Sequence, residues 1–221
     1  MTPLNSVPVS VIEHMDGHRA ANGYHTIEEL ITVIGARNTI IDPFSVLISR
    51  NVTIGRGNTI SSGVAFIADS SSTMRIGDNN LFSNNTRLEA ANAASIILGS
   101  NNSFGDGVVI VKCNTNNGNM IFGNNCRFDG RINTYGDCAF GDGSQILGTI
   151  NVYNCTLRGG GAHTEPDPGK RAGLLKGIGT TRGLTVEAGM VLNGFGPFDQ
   201  MAVEPRRKLP PASIAVMWGY Q

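Results

Sequence analysis

Ile34-Gly35-Ala36-Arg37-Asn38-Thr39-Ile40 returns as Ile54-Gly55-Arg56-Gly57-Asn58-Thr59-Ile60, and again as Ile76-Gly77-Asp78-Asn79-Asn80-Leu81-Phe82. Further copies read Leu98-Gly99-Ser100-Asn101-Asn102-Ser103-Phe104, Phe122-Gly123-Asn124-Asn125-Cys126-Arg127-Phe128 and Phe140-Gly141-Asp142-Gly143-Ser144-Gln145-Ile146. Self-similarity of this length marks a repeat architecture. Apolar residues open and close each copy at a step of six, and the step continues once more. The triplets are Ile34/Ile40/Val46, Ile54/Ile60/Phe66, Ile76/Phe82/Leu88, Leu98/Phe104/Ile110, Phe122/Phe128/Thr134 and Phe140/Ile146/Val152. Three anchors per repeat suit a triangular coil with one inward residue on each side.

Four residues after each anchor runs a smaller column. On the first side it is Asn38, Asn58, Asn80, Asn102, Cys126 and Ser144; on the second it is Phe44, Val64, Thr86, Val108, Ile132 and Ile150. Stacked coils place like beside like at about 4.8 Å. An Asn column can then bond along the stack and satisfy its buried amides. The Gly after each first anchor suits a turn, where the missing Cβ permits unusual φ and ψ. The gap between coils varies while the inner step stays at six, so the insertions are expected at one corner, forming a ridge. Such insertions often form the binding face of a repeat protein.

This [ILF]-Gly-x-x-x-x-[ILF] phrase at a step of six resembles the hexapeptide-repeat acyltransferase superfamily, and the likeness covers about residues 34–157. The resemblance implies a left-handed parallel β-helix, usually packed as a homotrimer with sites in the clefts between prisms. A right-handed parallel β-helix also fits the total period of 18 to 24 residues, and the inner step of six favours the left-handed form. The expected fold is an all-β solenoid with a short N-terminal helical cap and an irregular C-terminal tail. Its divisions are 1–33 (cap), 34–157 (coils), 158–183 (inserted loop) and 184–221 (last coil and tail).

Charge is balanced, with 17 basic and 17 acidic residues in 221, which argues against a nucleic-acid partner. No apolar run of about 18 residues implies a membrane span. The N-terminus lacks the basic and apolar regions of a signal peptide. Cys113, Cys126, Cys138 and Cys155 lack paired CxxC spacing, so no zinc site is expected, and a reduced, cytoplasmic location follows most simply.

At the N-terminal end, Thr26 and Glu29 form a capping-box pattern that predicts a short helix over the open first coil. From Arg158 the pattern breaks into a Gly- and Pro-rich stretch, and long loops are often functional. The repeat then resumes either as Ile178-Gly179 to Leu184 or as Val186/Leu192/Phe198. The tail Pro210-Pro211-Ala212-Ser213-Ile214 resembles the terminal segment of the same acyltransferases. Met217-Trp218-Gly219-Tyr220-Gln221 departs from the stretch that lies near coenzyme A in those enzymes.

His163, beside Glu165 and Asp167, is the candidate general base. The resemblance implies acyl transfer, and that chemistry needs a side chain titrating near working pH within reach of the acceptor. Glu165 is expected to hold the imidazole, and a backbone N–H from Gly159 to Gly161 to meet the oxyanion. Lys170, Arg171, Lys176 and Arg182 can meet the phosphates of coenzyme A or an anionic substrate; the alternative is a solvated loop balanced by Glu165 and Asp167. His14 and His18 share a helical spacing but lack a third ligand, so no metal is expected. The Asn114–Asn119 insert can meet sugar hydroxyls, or simply form a polar turn.

The implied function is transfer of an acyl group from an acyl-coenzyme A donor to a hydroxyl or amine of a small molecule or sugar. Two alternatives remain on the same scaffold. One is a lyase- or isomerase-type enzyme using His163 for proton transfer; the other is a non-catalytic carbohydrate-binding or assembly protein.

Overall fold

A computed structural model describes residues 9–198 and 203–207. The Pro210–Ile214 phrase and the departure at Met217–Gln221 lie outside the described residues. The described chain is mostly parallel strands in sheets with few helices, an arrangement compatible with a parallel β-helix.

Three faces repeat in chain order. The first is a sheet of seven parallel strands running from Val52–Ile54 through Asn119–Phe122 to Thr185–Val186. The second begins with Thr39–Ile40, Thr59–Ile60, Leu81–Phe82 and Ser103–Phe104. The third begins with Leu47–Ile48, Ala65–Ala68, Arg87–Ala90 and Val109–Cys113. In later coils the second and third faces share one continuous strand each: Arg127–Tyr135, Gln145–Tyr153, Leu174–Arg182 and Met190–Pro197. Gly130, Gly148 and Gly177 stack at the bend of those strands with φ of 117°, 123° and 118°. Only glycine adopts such angles readily, so these residues turn the corner without breaking the ladder.

The inward anchors lie where the repeat puts them through most of the stack. Ile60, Phe66, Phe82, Leu88, Phe104, Phe128 and Ile146 are fully buried. Their rings form a continuous spine: Phe82, Phe104 and Phe128 stack at centroid spacings of 5.1 Å, with Phe122 and Phe140 packed against them. Of the two resumptions, the structure takes Val186/Leu192/Phe198, all fully buried.

Several expectations are corrected. Ile34 ends a π-helical segment, Leu30–Ile34, and not a strand. Register pairs Ile48 with Phe66, so Ile48 is the third anchor of its coil, Val46 takes the smaller column, and Phe44 is exposed. Val111 pairs with Leu88 and Thr134, so it displaces Ile110 as anchor, and Val109 displaces Val108. Extra residues therefore enter between Ile40 and Ile48 and between Phe104 and Val111, not at one corner only. The strand Leu174–Arg182 also lies inside the expected loop 158–183, so the irregular run ends at Gly173.

The Asn column bonds along the stack. Asn80 Nδ2 donates to Asn58 Oδ1 (3.0 Å) and to the Gly99 carbonyl (3.0 Å), and the Asn102 N–H donates to Asn80 Oδ1 (2.8 Å). The phrase glycines are fixed by proximity and not by unusual φ. A Cβ on Gly77 would lie 2.7 Å from the Gly99 carbonyl, and one on Gly99 would lie 2.6 Å from that of Gly123. Many of the remaining Asn residues occupy left-handed corner positions, among them Asn79, Asn101 and Asn125 with φ of 56° to 59°. The Asn114–Asn119 insert is one such corner: Asn117 has φ 53°, and Asp137 Oδ1 accepts from the Asn119 N–H (2.8 Å).

The capping box forms as the sequence predicts, with Thr26 and Glu29 bonding reciprocally at 2.9 and 3.1 Å. A preceding helix, Val9–Ala21, contains the His14/His18 helical spacing. Its Arg19 is 7% exposed and donates to the carbonyls of Phe44 (2.8 Å) and Val46 (3.0 Å), pinning the helix to the first coil.

Asn80→Ala strands the Asn102 N–H and the Gly99 carbonyl inside the stack. The variant should lose about 3 kcal/mol of unfolding free energy, against about 1 kcal/mol for Asn38→Ala at the half-buried start of the ladder. Urea denaturation midpoints at an unchanged slope check this; equal losses would remove the ladder as a source of stability.

Candidate functional site

The irregular run from Arg158 to Gly173 leaves the stack where the first face would pass to the second. It is held by its own backbone. The Gly160 N–H donates to the Asp142 carbonyl (2.9 Å), the Gly161 N–H to that of Lys170 (2.8 Å), and the Ala172 N–H to that of Gly161 (3.0 Å). Gly160 and Gly161 therefore have their N–H groups committed, which withdraws them as oxyanion donors. Asp167 caps a short 3-10 turn, Pro168–Lys170, by accepting from the Gly169 N–H at 2.9 Å.

The loop carries His163 back over earlier coils. His163 is exposed and lines a groove of about 420 Å³ with Asn101, Ser103, Asn125, Arg127 and Thr164. The corner residues Asn101 and Asn125 come from successive coils, so one wall of the groove is the polar edge of the stack. Arg127 is paired with Asp129 at 2.6 Å.

Glu165 does not hold the imidazole. Its Oε1 accepts from the Asp167 N–H (3.0 Å), and its carbonyl accepts from Arg171 Nε (2.6 Å). Its role is to brace the loop that bears His163.

The four cations named from sequence do not form one cluster. Lys170 is exposed and faces Asp167 at 3.8 Å. Arg182 lies over the Tyr153 ring at 3.9 Å, on the third face. Arg171 and Lys176 do meet, in a groove of about 290 Å³ that also takes in Gln145, Asn193, Arg206 and Arg207. The strand Glu204–Pro205 brings Arg206 and Arg207 there by pairing antiparallel with Met190–Val191. Burial, and then the nearby Arg171 charge, lowers the Arg206 guanidinium to about 10. Sequence reasoning missed Arg206, Arg207 and Gln145. The Arg206-Arg207-Lys208 run was a signal, but no repeat phrase tied it to this face.

Among the described residues, no group of three or more His, Cys, Asp or Glu is placed to hold a metal ion. His14 and His18 sit edge to face at 4.5 Å on the N-terminal helix. No described helix is long and apolar enough to cross a membrane.

No family model and no curated protein matches the chain. Among solved structures it is similar to a GDP-perosamine N-acetyl transferase from Caulobacter crescentus, a mutant in complex with CoA and GDP-perosamine. Identity is 14% and the TM-score 0.25, over 77% of this chain and 58% of that one, so the likeness spans less than two thirds of the neighbour.

Cys126 also borders the His163 groove, but it is 2% exposed and burial pushes its thiol up to about 12. A thiol so placed is about one part in ten thousand thiolate at pH 8, too little for a nucleophile. Iodoacetamide at pH 8 should leave Cys126 unlabelled in the folded protein and label it after urea unfolding. Mass spectrometry reads this, and rapid labelling of the folded chain would contradict it.

Proposed function

We propose that the chain is a left-handed parallel β-helix acyltransferase, active as a homotrimer in the cytoplasm. It would move an acyl group from a coenzyme A-type thioester to a hydroxyl or amine of a small molecule or sugar. The reading rests on the sequence resemblance and on one observation: an ordered loop sets His163 over a groove walled by polar coil corners. His163 takes the proton of the acceptor as that group attacks the thioester carbonyl. The tetrahedral intermediate then collapses, the C–S bond breaks, and the departing thiolate recovers the proton from His163. Glu165 acts as a positioning residue through the loop. Lys170 and Arg182 stand apart from the other cations, so Arg171 and Lys176 are the pair assigned to anionic groups of donor or substrate.

A second reading, a carbohydrate-binding protein without catalysis, draws on the third face. Asn133 Nδ2 donates to Asn151 Oδ1 (2.8 Å), beside Tyr135 and Tyr153 stacked at 4.9 Å. That face presents amides and aromatic rings of the kind sugars meet.

Acetyl-coenzyme A separates the two readings. A donor at about a hundredfold over its Kd should raise unfolding free energy by about 2.7 kcal/mol. No thermal shift at millimolar donor would sink acyl transfer and leave the binding reading. His163→Ala should keep the melting temperature and lose turnover by about 10²- to 10⁴-fold; retained turnover removes His163 from the mechanism. Light scattering should give a trimer, and a monomer would refute that assembly.

A further inference from the structure

The groove between the second face and the return strand Glu204–Pro205 is chemically unfinished. Gln145 is only 5% exposed, yet among the described residues its Nε2 has no hydrogen-bond partner. Arg206 Nε and Nη2 are likewise buried and, among the described residues, unpaired. Buried donors are nearly always satisfied, and charged ones left unpaired are among the costliest defects a fold can carry. Both residues line the same groove.

The charge is unbalanced in the same sense. Arg171, Lys176, Arg206 and Arg207 line the groove against a single carboxylate, Glu204. Among the described residues, none of Lys176, Arg206 and Arg207 forms an ion pair, although Glu204 is at hand and exposed. The guanidinium offers its donors in a fixed fork, Gln145 adds an amide N–H, and Lys176 adds a point charge. No one protein carboxylate can serve them all. A tetrahedral group with three terminal oxygens can.

We propose that this groove binds a phosphate group. Its oxygens are taken by Arg206 Nε and Nη2, by Gln145 Nε2 and by Lys176. Arg171, whose Nε is held by the Glu165 carbonyl, lends its charge and ties the site to the loop.

The placement says more. Gln145 pairs in register with Arg127, and Arg127 lines the His163 groove. The phosphate groove and the His163 groove therefore meet along one outward row, one coil apart at about 4.8 Å. A phosphate ester held by Arg206 would extend its organic part toward His163. This extension alone rests on the acyl-transfer reading.

Titration calorimetry on the full chain tests the site without any acyl donor, so its failure is separate from failure of that reading. Inorganic phosphate and a sugar phosphate should each bind saturably, with chloride at matched ionic strength giving no heat. Arg206→Gln should weaken binding by about tenfold or more, as loss of a charged hydrogen-bonding partner does. Lys176→Gln should weaken it less, and Arg75→Gln, an exposed cation on the first face, not at all. Gln145→Glu supplies a second route, since a buried carboxylate there should abolish phosphate binding even if Arg206→Gln misfolds. Tighter binding of the sugar phosphate identifies the ester as ligand, and equal binding identifies the free ion; either upholds the site. Absence of saturable binding at about 10 mM phosphate, well above ordinary millimolar affinity, overturns it. Equal loss in Arg75→Gln and Arg206→Gln does the same, because it reduces the effect to general charge.

Discussion

Each coil must settle on the one before it at the spacing of paired strands, and nearly everything else in this molecule follows from that constraint. The spacing brings the Gly77 Cα so close to the Gly99 carbonyl that no side chain fits. It lets one amide oxygen serve both the backbone and the side chain of the next Asn, as Asn58 Oδ1 does for Asn80. It also stacks Phe82, Phe104 and Phe128 into a single spine. The ladder is local at every step, so a change in one coil is felt by its two neighbours first. Where Cys126 replaces Asn, its backbone N–H still donates to Asn102 Oδ1 (2.7 Å) and its Sγ meets the Gly141 carbonyl (3.3 Å), so the ladder passes through the substitution.

Much of this was legible because anchors such as Ile60, Phe104 and Phe128 have no apolar neighbour in the chain. Phase was lost where they do not. In Val108-Val109-Ile110-Val111 every residue is apolar, so period alone cannot say which ones face inward. Only the register with Leu88 and Thr134 settles it. Val46-Leu47-Ile48 hides a two-residue insertion in the same way. Ile34 fits the phrase letter for letter but closes a helix, because the capping box at Thr26 governs that segment. The glycine after each anchor is legible in the phrase, but crowding, and not an unusual φ, excludes a side chain there.

The candidate site shows a different limit. Its loop was visible as the place where the repeat stops, and His163 as its one imidazole. Partnerships within it were not visible, since proximity along the chain does not fix which way a side chain bonds. Glu165 lies two residues from His163 and yet caps Asp167. Arg206 lies 35 residues beyond Arg171 in the chain and yet shares a groove with it. The long strands that fuse the second and third faces bring these elements together, by carrying Gln145, Leu174 and Val191 into one row.

A stack of parallel coils is in principle a polymer segment, with an unpaired edge at each end ready to accept another copy. The described ends differ in how they depart from that form. At the start, Arg19 caps carbonyls of the first coil that a preceding strand would otherwise engage. At the last described coil, Glu204–Pro205 lies antiparallel on Met190 and Val191. An antiparallel strand presents the wrong hydrogen-bond spacing to a parallel newcomer, and Pro205 has no N–H to offer it. The strand that delivers Arg206 to its groove thus also covers an edge of the last described coil: the same few residues that complete a pocket blunt a template for further stacking.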